Sequence, residues 1–246
     1  MNKNKVFLVT GALSPIGRAI CNTILERGAL VAINYRGEKH CAMEFRDIIM
    51  EAYGIEVLLL KYDLLDYSAP EKIVNEIMGT YGRLDGIVNN ASTFQKTNFS
   101  DIDISDWHNA SAINLHAPFF LAQKAYPILK NNCGSIVNIS DISTHVTLAE
   151  YIPYCVSKSA LNTLTKVLAK ALAPEVRVNT VSPGIITLPS DKELFSETHM
   201  RSVIERTALK RVGDLTDIAS AVAYLLFDAP YVTGHNLVVD GGRMLY

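Results

Sequence analysis

Short apolar runs alternate with longer amphipathic stretches along the whole chain, and this alternation is the feature that most constrains the fold. The runs are rich in β-branched residues, which is typical of strands buried on both faces. They occupy residues 6–10, 30–34, 56–60, 86–89, 135–139, 177–181 and 236–239, and the amphipathic stretches occupy residues 16–27, 38–53, 70–81, 106–129, 154–172 and 215–226. Strands that each lead into a helix predict an α/β fold with a doubly wound parallel sheet.

No internal repeat, low-complexity tract or Pro/Gly/Ser-rich linker divides the 246 residues, so a single domain over residues 1–246 is predicted. The formal net charge of −2 gives no reason to expect a nucleic acid or an anionic membrane as partner. The four cysteines and six histidines show no metal-ligand or disulfide spacing, and no window approaches the ~18 apolar residues of a membrane span. We therefore expect a cytoplasmic protein that binds no metal.

The first predicted strand runs into a glycine-containing turn, and a helix follows. Gly11 permits a tight turn, and Gly17 lets the helix pack closely on the strand. Ser14 and Ile16 lie where the helix begins, so backbone N–H groups and the positive end of the helix dipole are available to a phosphate. Pro15 is tolerated in a first helical turn, although it removes one possible donor. This arrangement predicts a dinucleotide pyrophosphate site.

The end of the second predicted strand indicates which dinucleotide is bound. An NAD-binding chain usually has Asp or Glu there, because the acid accepts a hydrogen bond from the ribose 2′-hydroxyl. Here Tyr35 and Arg36 follow the strand, and no acid lies at its end. A guanidinium can donate two hydrogen bonds to a 2′-phosphate. NADP(H) is therefore the predicted cofactor.

Tyr154 and Lys158 share one face of a predicted helix, because they are four residues apart. A phenol with a pKa near ~10 is a poor proton donor or acceptor at neutral pH. An adjacent ammonium stabilises the phenolate, so we expect Lys158 to lower the pKa of Tyr154. Tyr151 is the rival phenol, but position 155 is cysteine, so Tyr151 has no lysine at the same spacing.

Together these motifs resemble the short-chain dehydrogenase/reductase superfamily over the whole chain. Residues 10–17 are similar to its Thr-Gly-x-x-x-Gly-x-Gly signature, with Pro15 in place of the middle glycine. Residues 89–92 are similar to its Asn-Asn-Ala-Gly signature, with Ser92 in place of the glycine. The resemblance implies a Rossmann-type fold and further cofactor contacts from Asp63, Leu64, Asn90, Ala91, Ser92, Ile139, Tyr154, Lys158, Pro183, Gly184 and Ile185.

The resemblance also implies roles at the reacting centre. Lys158 would hydrogen-bond the nicotinamide ribose, and Asn114 would support a water molecule and the lysine. A substrate lid is expected around residues 186–210. The resemblance further implies a small-molecule substrate and a homotetramer.

The residue thirteen positions before Tyr154 is a serine in most of the superfamily, but here it is Asp141. Ser140 is one residue too early and, by strand alternation, should point to the opposite face, unless an altered loop length restores it. Asp141, Pro15 and the segment 90–94, which ends at Phe94, resemble the pteridine reductase and dihydromonapterin (dihydrofolate) reductase branch. That branch implies substrate contacts from Phe94, Asp141, Tyr154 and Leu188.

The branch implies NADPH-dependent hydride transfer to a C=N bond of a pterin or dihydropterin. Tyr154 would deliver the proton, Asp141 would hydrogen-bond Tyr154 or an ordered water, and Phe94 would stack on the heterocycle. One alternative is a carbonyl reductase for a 3-oxoacyl thioester, sugar or steroid, with Ser140 as the active hydroxyl and Phe94 as packing. The other is a catalytically silent NADP-binding sensor, which the intact catalytic set disfavours.

Overall fold

Seven parallel strands form one sheet in this computed structural model, which describes residues 4–186 and 197–246. The strands are β1 Val6–Val9, β2 Leu30–Tyr35, β3 Leu58–Lys61, β4 Gly86–Asn89, β5 Ser135–Ile139, β6 Arg177–Pro183 and β7 Asn236–Val239. Their order is β3-β2-β1-β4-β5-β6-β7. The order reverses between β1 and β4, so the predicted doubly wound, Rossmann-type fold is confirmed.

Helices lie between consecutive strands and cover both faces of the sheet. They are α1 Pro15–Glu26, α2 Lys39–Tyr53, α3 Ala69–Tyr81, α4 Ile104–Ser111, α5 Ala117–Asn131, α6 Ile152–Ala171, α7 Glu197–Glu205 and α8 Leu215–Ala223. Short 3₁₀ turns occur at Phe99–Asp101, Ile142–Thr144 and Arg243–Leu245, and a π-helical turn, Tyr224–Asp228, extends α8. The helix α7 lies within the stretch that was expected to form the substrate lid.

The stretch 106–129 was predicted as one helix, but it consists of α4, a π-helical turn Ala112–His116 and α5. Pro118 in the first turn of α5 has no N–H, so it cannot donate to the carbonyl of Asn114 as a continuous α-helix requires. The N–H of Ala117 donates instead to the carbonyl of Ala112, which makes the turn wider. The prediction of an uninterrupted helix was therefore wrong at Asn114.

Two apolar cores enclose the sheet, one on each face. Successive strand residues alternate between them: Leu8 of β1 belongs to the core that α3, α5 and α6 cover, and Val9 to the core that α1, α2 and α8 cover. Both side chains are fully buried. The central strands β1, β4 and β5 are buried along their whole length, whereas the edge strands β3 and β7 are only partly buried. The sheet therefore presents its edges and its strand ends to ligands.

Gly17 is the point of closest packing between α1 and the turn that follows β1. A Cβ atom on Gly17 would lie 2.5 Å from the carbonyl oxygen of Gly11 and 2.7 Å from the Cα atom of Ala12. Gly11 itself has a φ of +59°, a backbone conformation that side chains other than glycine rarely adopt. Both glycines are therefore required by the backbone of this turn.

We expect Gly17→Ala to lower the free energy of unfolding by about 1–3 kcal/mol, because the added methyl must displace backbone atoms. Urea denaturation measures the change. Gly79→Ala in α3 is the matched control, since a Cβ there meets nothing within 4 Å. The control should raise stability by about 0.5–1 kcal/mol, the usual gain of Ala over Gly inside a helix. Equal stability of the two variants would contradict this packing argument.

Candidate active site

A cleft of about 830 Å³ opens along the carboxyl ends of the parallel strands. All the predicted cofactor residues except Gly17 line it: Gly11, Ser14, Ile16, Tyr35, Arg36, Asp63, Leu64, Asn90, Ala91, Ser92, Ile139, Tyr154, Lys158, Pro183, Gly184 and Ile185. Gly17 is buried beneath the turn, where it permits close packing. Of the expected substrate residues, Phe94, Asp141 and Tyr154 line the cleft, and Leu188 lies outside the described residues.

Hydrogen bonds from the end of β4 hold the glycine turn in place. The backbone N–H groups of Asn90 and Ala91 both donate to Thr10 Oγ1 over 3.0 Å. The Asn90 amide donates to the carbonyl oxygens of Thr10 and Gly11 at 3.0 and 2.9 Å. A Cβ on Gly11 would lie only 2.8 Å from Ala91 Cα. Glycine at position 11 therefore lets the turn after β1 lie directly against the end of β4.

The cleft fits a dinucleotide at its phosphate-binding end. Ser14 caps α1, because its Oγ accepts the N–H of Gly17 at 3.1 Å, and Ser14 and Ile16 line the cleft where the helix begins. The N-terminus of a helix carries unpaired N–H groups and a partial positive charge, so it favours a phosphate. Gly11 also lines the cleft, and a glycine turn that leads into a helix N-terminus is the arrangement that binds a dinucleotide pyrophosphate.

The end of β2 fits the phosphorylated ribose. Arg36 is exposed and lines the cleft, and its guanidinium has no hydrogen bond or ion pair with another residue in the two described segments. The adjacent side chain of Asn34, which the sequence did not single out, donates to the carbonyl oxygens of Leu60 and Tyr62 at 3.2 and 3.1 Å. These bonds join the ends of β2 and β3 and keep the wall beside Arg36 in position.

Tyr154 and Asp141 are in direct contact inside the cleft. The Tyr154 hydroxyl donates to Asp141 Oδ2 over 2.7 Å. The other carboxylate oxygen, Oδ1, accepts the backbone N–H of Ser143 at 2.6 Å, which orients the carboxylate. Ser140 is buried, and its Oγ lies 3.4 Å from the carbonyl oxygen of Lys158. Asp141, and not Ser140, is therefore the residue hydrogen-bonded to the phenol.

Burial and the negative charge of Asp141 decide the protonation of the site. Burial raises the pKa of Tyr154 well above its usual value, and the charge and hydrogen bond of Asp141 raise it further. We expected Lys158 to lower the pKa of Tyr154 toward neutral pH, and this expectation is wrong, because the pKa is raised. Burial lowers the pKa of Lys158 to about 8, and the attraction of Asp141 opposes part of that fall. The phenol is thus held neutral, as a proton donor must be.

Lys158 is buried between the phenol and the end of β5. Its Nζ donates to the carbonyl oxygen of Ile139 over 2.7 Å and lies 5.7 Å from the centre of the Tyr154 ring. An ammonium has three N–H donors, and this bond uses one of them. Two donors are left for a ligand in the cleft.

Asn114 lies behind the cleft, on the π-helical turn. Its amide donates to Ser157 Oγ at 2.9 Å, and its Oδ1 accepts the Ser92 hydroxyl at 3.0 Å and the Thr93 N–H at 3.2 Å. It forms no direct hydrogen bond with Lys158. Asn114 therefore ties the loop after β4 to α6, and its expected support of a water and the lysine stays a prediction.

Phe94 forms the wall of the cleft beyond Tyr154. Its ring stacks on Tyr151 at a centroid distance of 4.2 Å and an angle of 13°, and it meets the Tyr154 ring edge to face at 4.7 Å and 79°. Ile186, the first residue of the expected lid, also lines the cleft, and the lining residues that were not predicted from the sequence are Asn34, Tyr62, Leu65, Thr93, Gln95, Asn109 and Ile113. Gln95 reaches this wall because the loop after β4 folds onto α4, where its amide donates to Asp106 over 2.9 Å. No spacing in the sequence signals that contact.

Comparisons with known proteins identify the family. Residues 11–243 match the family described as enoyl-(acyl carrier protein) reductase. The chain is 33% identical over 245 residues to the 3-oxoacyl-(acyl-carrier-protein) reductase FabG of Staphylococcus epidermidis, covering 98% of this chain and 100% of the relative. It is 35% identical to tropinone reductase-like 3 of Erythroxylum coca, covering 98% and 93%. These relatives are not pteridine reductases, so the branch assignment made from Asp141 stays a hypothesis.

Solved structures agree with the family. A putative short-chain alcohol dehydrogenase from Sinorhizobium meliloti superposes with a TM-score of 0.92 at 31% identity, over 99% of this chain and 97% of that one. A blue fluorescent protein from a metagenomic library, in complex with NADPH, superposes with a TM-score of 0.90 at 30% identity, over 99% of both chains. The chain therefore belongs to the short-chain dehydrogenase/reductase superfamily and is an NAD(P)H-dependent oxidoreductase.

Proposed function

We propose that this protein is an NADPH-dependent reductase whose substrate is a pterin or dihydropterin ring. The observation that carries the proposal is the hydrogen bond from Tyr154 to Asp141 at the position where most of the superfamily has serine. When bound, NADPH supplies the hydride. Tyr154 holds the proton for the substrate nitrogen, and Lys158 offers its remaining N–H donors to the nicotinamide ribose.

Asp141 is the reason to favour a nitrogen heterocycle. An ionised carboxylate only accepts hydrogen bonds, so it suits a ring that carries N–H groups beside the reducible C=N bond. A carbonyl substrate gains negative charge on its oxygen as it is reduced, and a carboxylate at that position would repel the charge. Phe94 offers a flat aromatic wall to a planar ring.

A carbonyl reductase is the second candidate. Sequence similarity over the whole chain supports this function better than it supports pterin reduction. The relatives matched include a 3-oxoacyl-(acyl-carrier-protein) reductase and a tropinone reductase-like protein. For that chemistry Asp141 would have to be protonated, or Ser140 would have to turn away from the Lys158 carbonyl oxygen. The silent-sensor alternative is disfavoured, because Tyr154 and Lys158 both line the cleft.

Some expectations about the whole protein stay predictions. In the two described segments, no helix is long and apolar enough to cross a membrane. The homotetramer, the cytoplasmic location and the substrate lid around residues 186–210 still rest on sequence pattern and family resemblance.

The substrate proposal predicts the order of kcat/KM in steady-state NADPH oxidation. Dihydrobiopterin, dihydromonapterin and dihydrofolate should be compared with an acetoacetyl thioester. We expect the best dihydropterin to exceed the thioester by at least about tenfold, the value of one hydrogen bond to a charged group. The reverse order would overturn the pterin proposal and leave carbonyl reduction.

The cofactor proposal predicts that Arg36 discriminates between NADPH and NADH. We expect wild-type protein to bind NADPH more tightly, and Arg36→Ala to weaken NADPH binding by about 10- to 100-fold with little effect on NADH. Calorimetry gives both dissociation constants. Arg46→Ala is the control, because Arg46 lies on α2, outside the cleft, paired with Asp47. Equal affinity of the wild type for the two cofactors would refute the assignment.

Variants at positions 141 and 140 distinguish the contributions of Asp141 and Ser140 to the reaction. We expect Asp141→Ala to lower kcat by a factor of ~10²–10⁴, the usual contribution of a positioned acid–base group. Ser140→Ala should cost little. Asp141→Ser should lose turnover on dihydropterins and retain some carbonyl activity. NADPH binding is measured for each variant so that a folding defect is not taken for lost chemistry.

The pH profile provides a second readout for the same residue. Reduction needs protonated Tyr154 and Lys158, and the Lys158 pKa of about 8 places the alkaline fall of kcat/KM near that pH. Asp141 raises the pKa of both groups, so Asp141→Asn should move the fall to lower pH. Ser140→Ala should leave it in place. If Ser140→Ala lost most of its kcat and Asp141→Ala kept nearly all of it, the assignment of Asp141 as the catalytic partner of Tyr154 would be wrong.

A further inference from the structure

We propose that Tyr151 is a specificity-determining positioning residue, which holds Phe94 as a fixed flat wall and thereby selects planar, conjugated substrates. The inference deepens the proposed function and rests on it, since it explains how the same cleft would prefer a pterin ring. Tyr151 itself is not among the residues that line the cleft.

The rings of Tyr151 and Phe94 stack face to face and lie nearly parallel. The rings are tilted by only 13°, with their centres 4.2 Å apart. Tyr151 is 2% exposed, whereas Phe94 is 48% exposed. One face of Phe94 is therefore covered by a buried ring, while about half of its surface stays exposed. Phe94 lines the cleft.

Phe94 needs such a support because its backbone lies in residues 90–98, which contain no helix or strand. This loop is joined to the chain before α6 by the Thr97 N–H, which donates to the Glu150 carbonyl oxygen over 2.9 Å. The ion pair of Lys96 with Glu150 is exposed to solvent and adds little rigidity. Hydrogen bonds of Thr93 with Asn114 and of Gln95 with Asp106 hold the backbone on either side of Phe94. The ring itself has two aromatic contacts, and the stack on Tyr151 is the one that lies nearly parallel to it and so supports its flat face.

Tyr151 is itself positioned by the helix that carries the proton donor. Its backbone N–H donates to the Leu148 carbonyl oxygen at 3.0 Å, and its own carbonyl accepts the N–H of Cys155 at 2.9 Å at the start of α6. Tyr151 is the residue immediately before α6, and Tyr154 follows three residues later in the first turn of that helix. Phe94 contacts both rings, and its plane is 79° from that of Tyr154. A ring that stacks on Phe94 is therefore held at a set angle to the phenol.

A wall of fixed angle benefits only some substrates. A planar conjugated ring gains stacking energy when the wall is already parallel to it, and it loses that energy when the wall must first be ordered. A flexible aliphatic substrate makes contacts that depend little on the angle. Tyr151 should therefore affect the binding of planar substrates and leave the chemical step almost unchanged.

The test compares Tyr151→Leu with Tyr151→Phe. We expect Tyr151→Leu to raise KM for dihydrobiopterin by about 3- to 10-fold with kcat changed by less than about twofold, as the loss of one aromatic stack predicts. Tyr151→Phe keeps the ring and should restore the wild-type KM. Thermal unfolding of each variant establishes that it is folded. Tyr231→Leu is the matched control, because Tyr231 is fully exposed and does not line the cleft.

A double-mutant cycle with Phe94→Leu tests whether Tyr151 acts through Phe94. We expect Tyr151→Leu to raise KM little further once Phe94 is leucine. Additive effects of the two substitutions would overturn the proposal. So would failure of Tyr151→Phe to restore KM, since the hydroxyl and not the ring would then carry the effect.

Two measurements keep this test separate from the proposed function. Calorimetric binding of 6-hydroxymethylpterin to the NADP⁺-loaded protein requires no turnover, and Tyr151→Leu should weaken it by the same about 3- to 10-fold factor. If the protein reduces ketones and binds no pterin, the pterin proposal fails. The effect of Tyr151→Leu on KM is then compared between acetophenone, which is planar, and ethyl acetoacetate, which is flexible. A rise in KM confined to acetophenone would still support the role of Tyr151, whereas equal changes for both ketones would overturn it.

Discussion

Burial of the sheet on both faces is the constraint on which the rest of the structure depends. Leu8 and Val9 are both fully buried although their side chains point in opposite directions. A strand of this kind needs a helix on each side, and parallel neighbours need a crossover to supply it. All the strands then end at the same edge, so the loops that follow β1 to β6 meet in one cleft. The active site is a consequence of this geometry.

The three groups at the reacting centre depend on one another electrostatically. Lys158 is a buried cation, and burial alone would favour its neutral form. The carboxylate of Asp141 offsets part of that cost and also keeps the Tyr154 phenol protonated. A serine at position 141 carries no charge, so it could not offset the cost of the buried cation, and burial would remain the main cause that raises the pKa of Tyr154. The substitution thus changes the proton chemistry of the site without changing the fold around it.

Whole-chain similarity and the composition of the site therefore favour different substrates. Relatives at 33–35% identity match nearly the whole chain, and they are named a 3-oxoacyl-(acyl-carrier-protein) reductase and a tropinone reductase-like protein. The features that favour a pterin involve only a few side chains in the cleft, namely Asp141 and the stacked rings of Phe94 and Tyr151. A fold of this kind accommodates many substrates, and the residues that touch the substrate decide among them.

The sequence by itself determined the strand and helix order, because the period of the apolar residues reports burial on one or two faces. It also determined the glycine turn, the Tyr154–Lys158 pair and the position of Asp141, since each depends on local spacing. Tertiary structure alone decided the direction of the Tyr154 pKa shift, because burial and the charge of Asp141 act through space. It also decided the break at Asn114 and the contacts of Gln95 and Tyr151, whose partners come from loops and helices distant in the chain. Spacing along a chain cannot report such contacts, because they arise only when separate elements pack together.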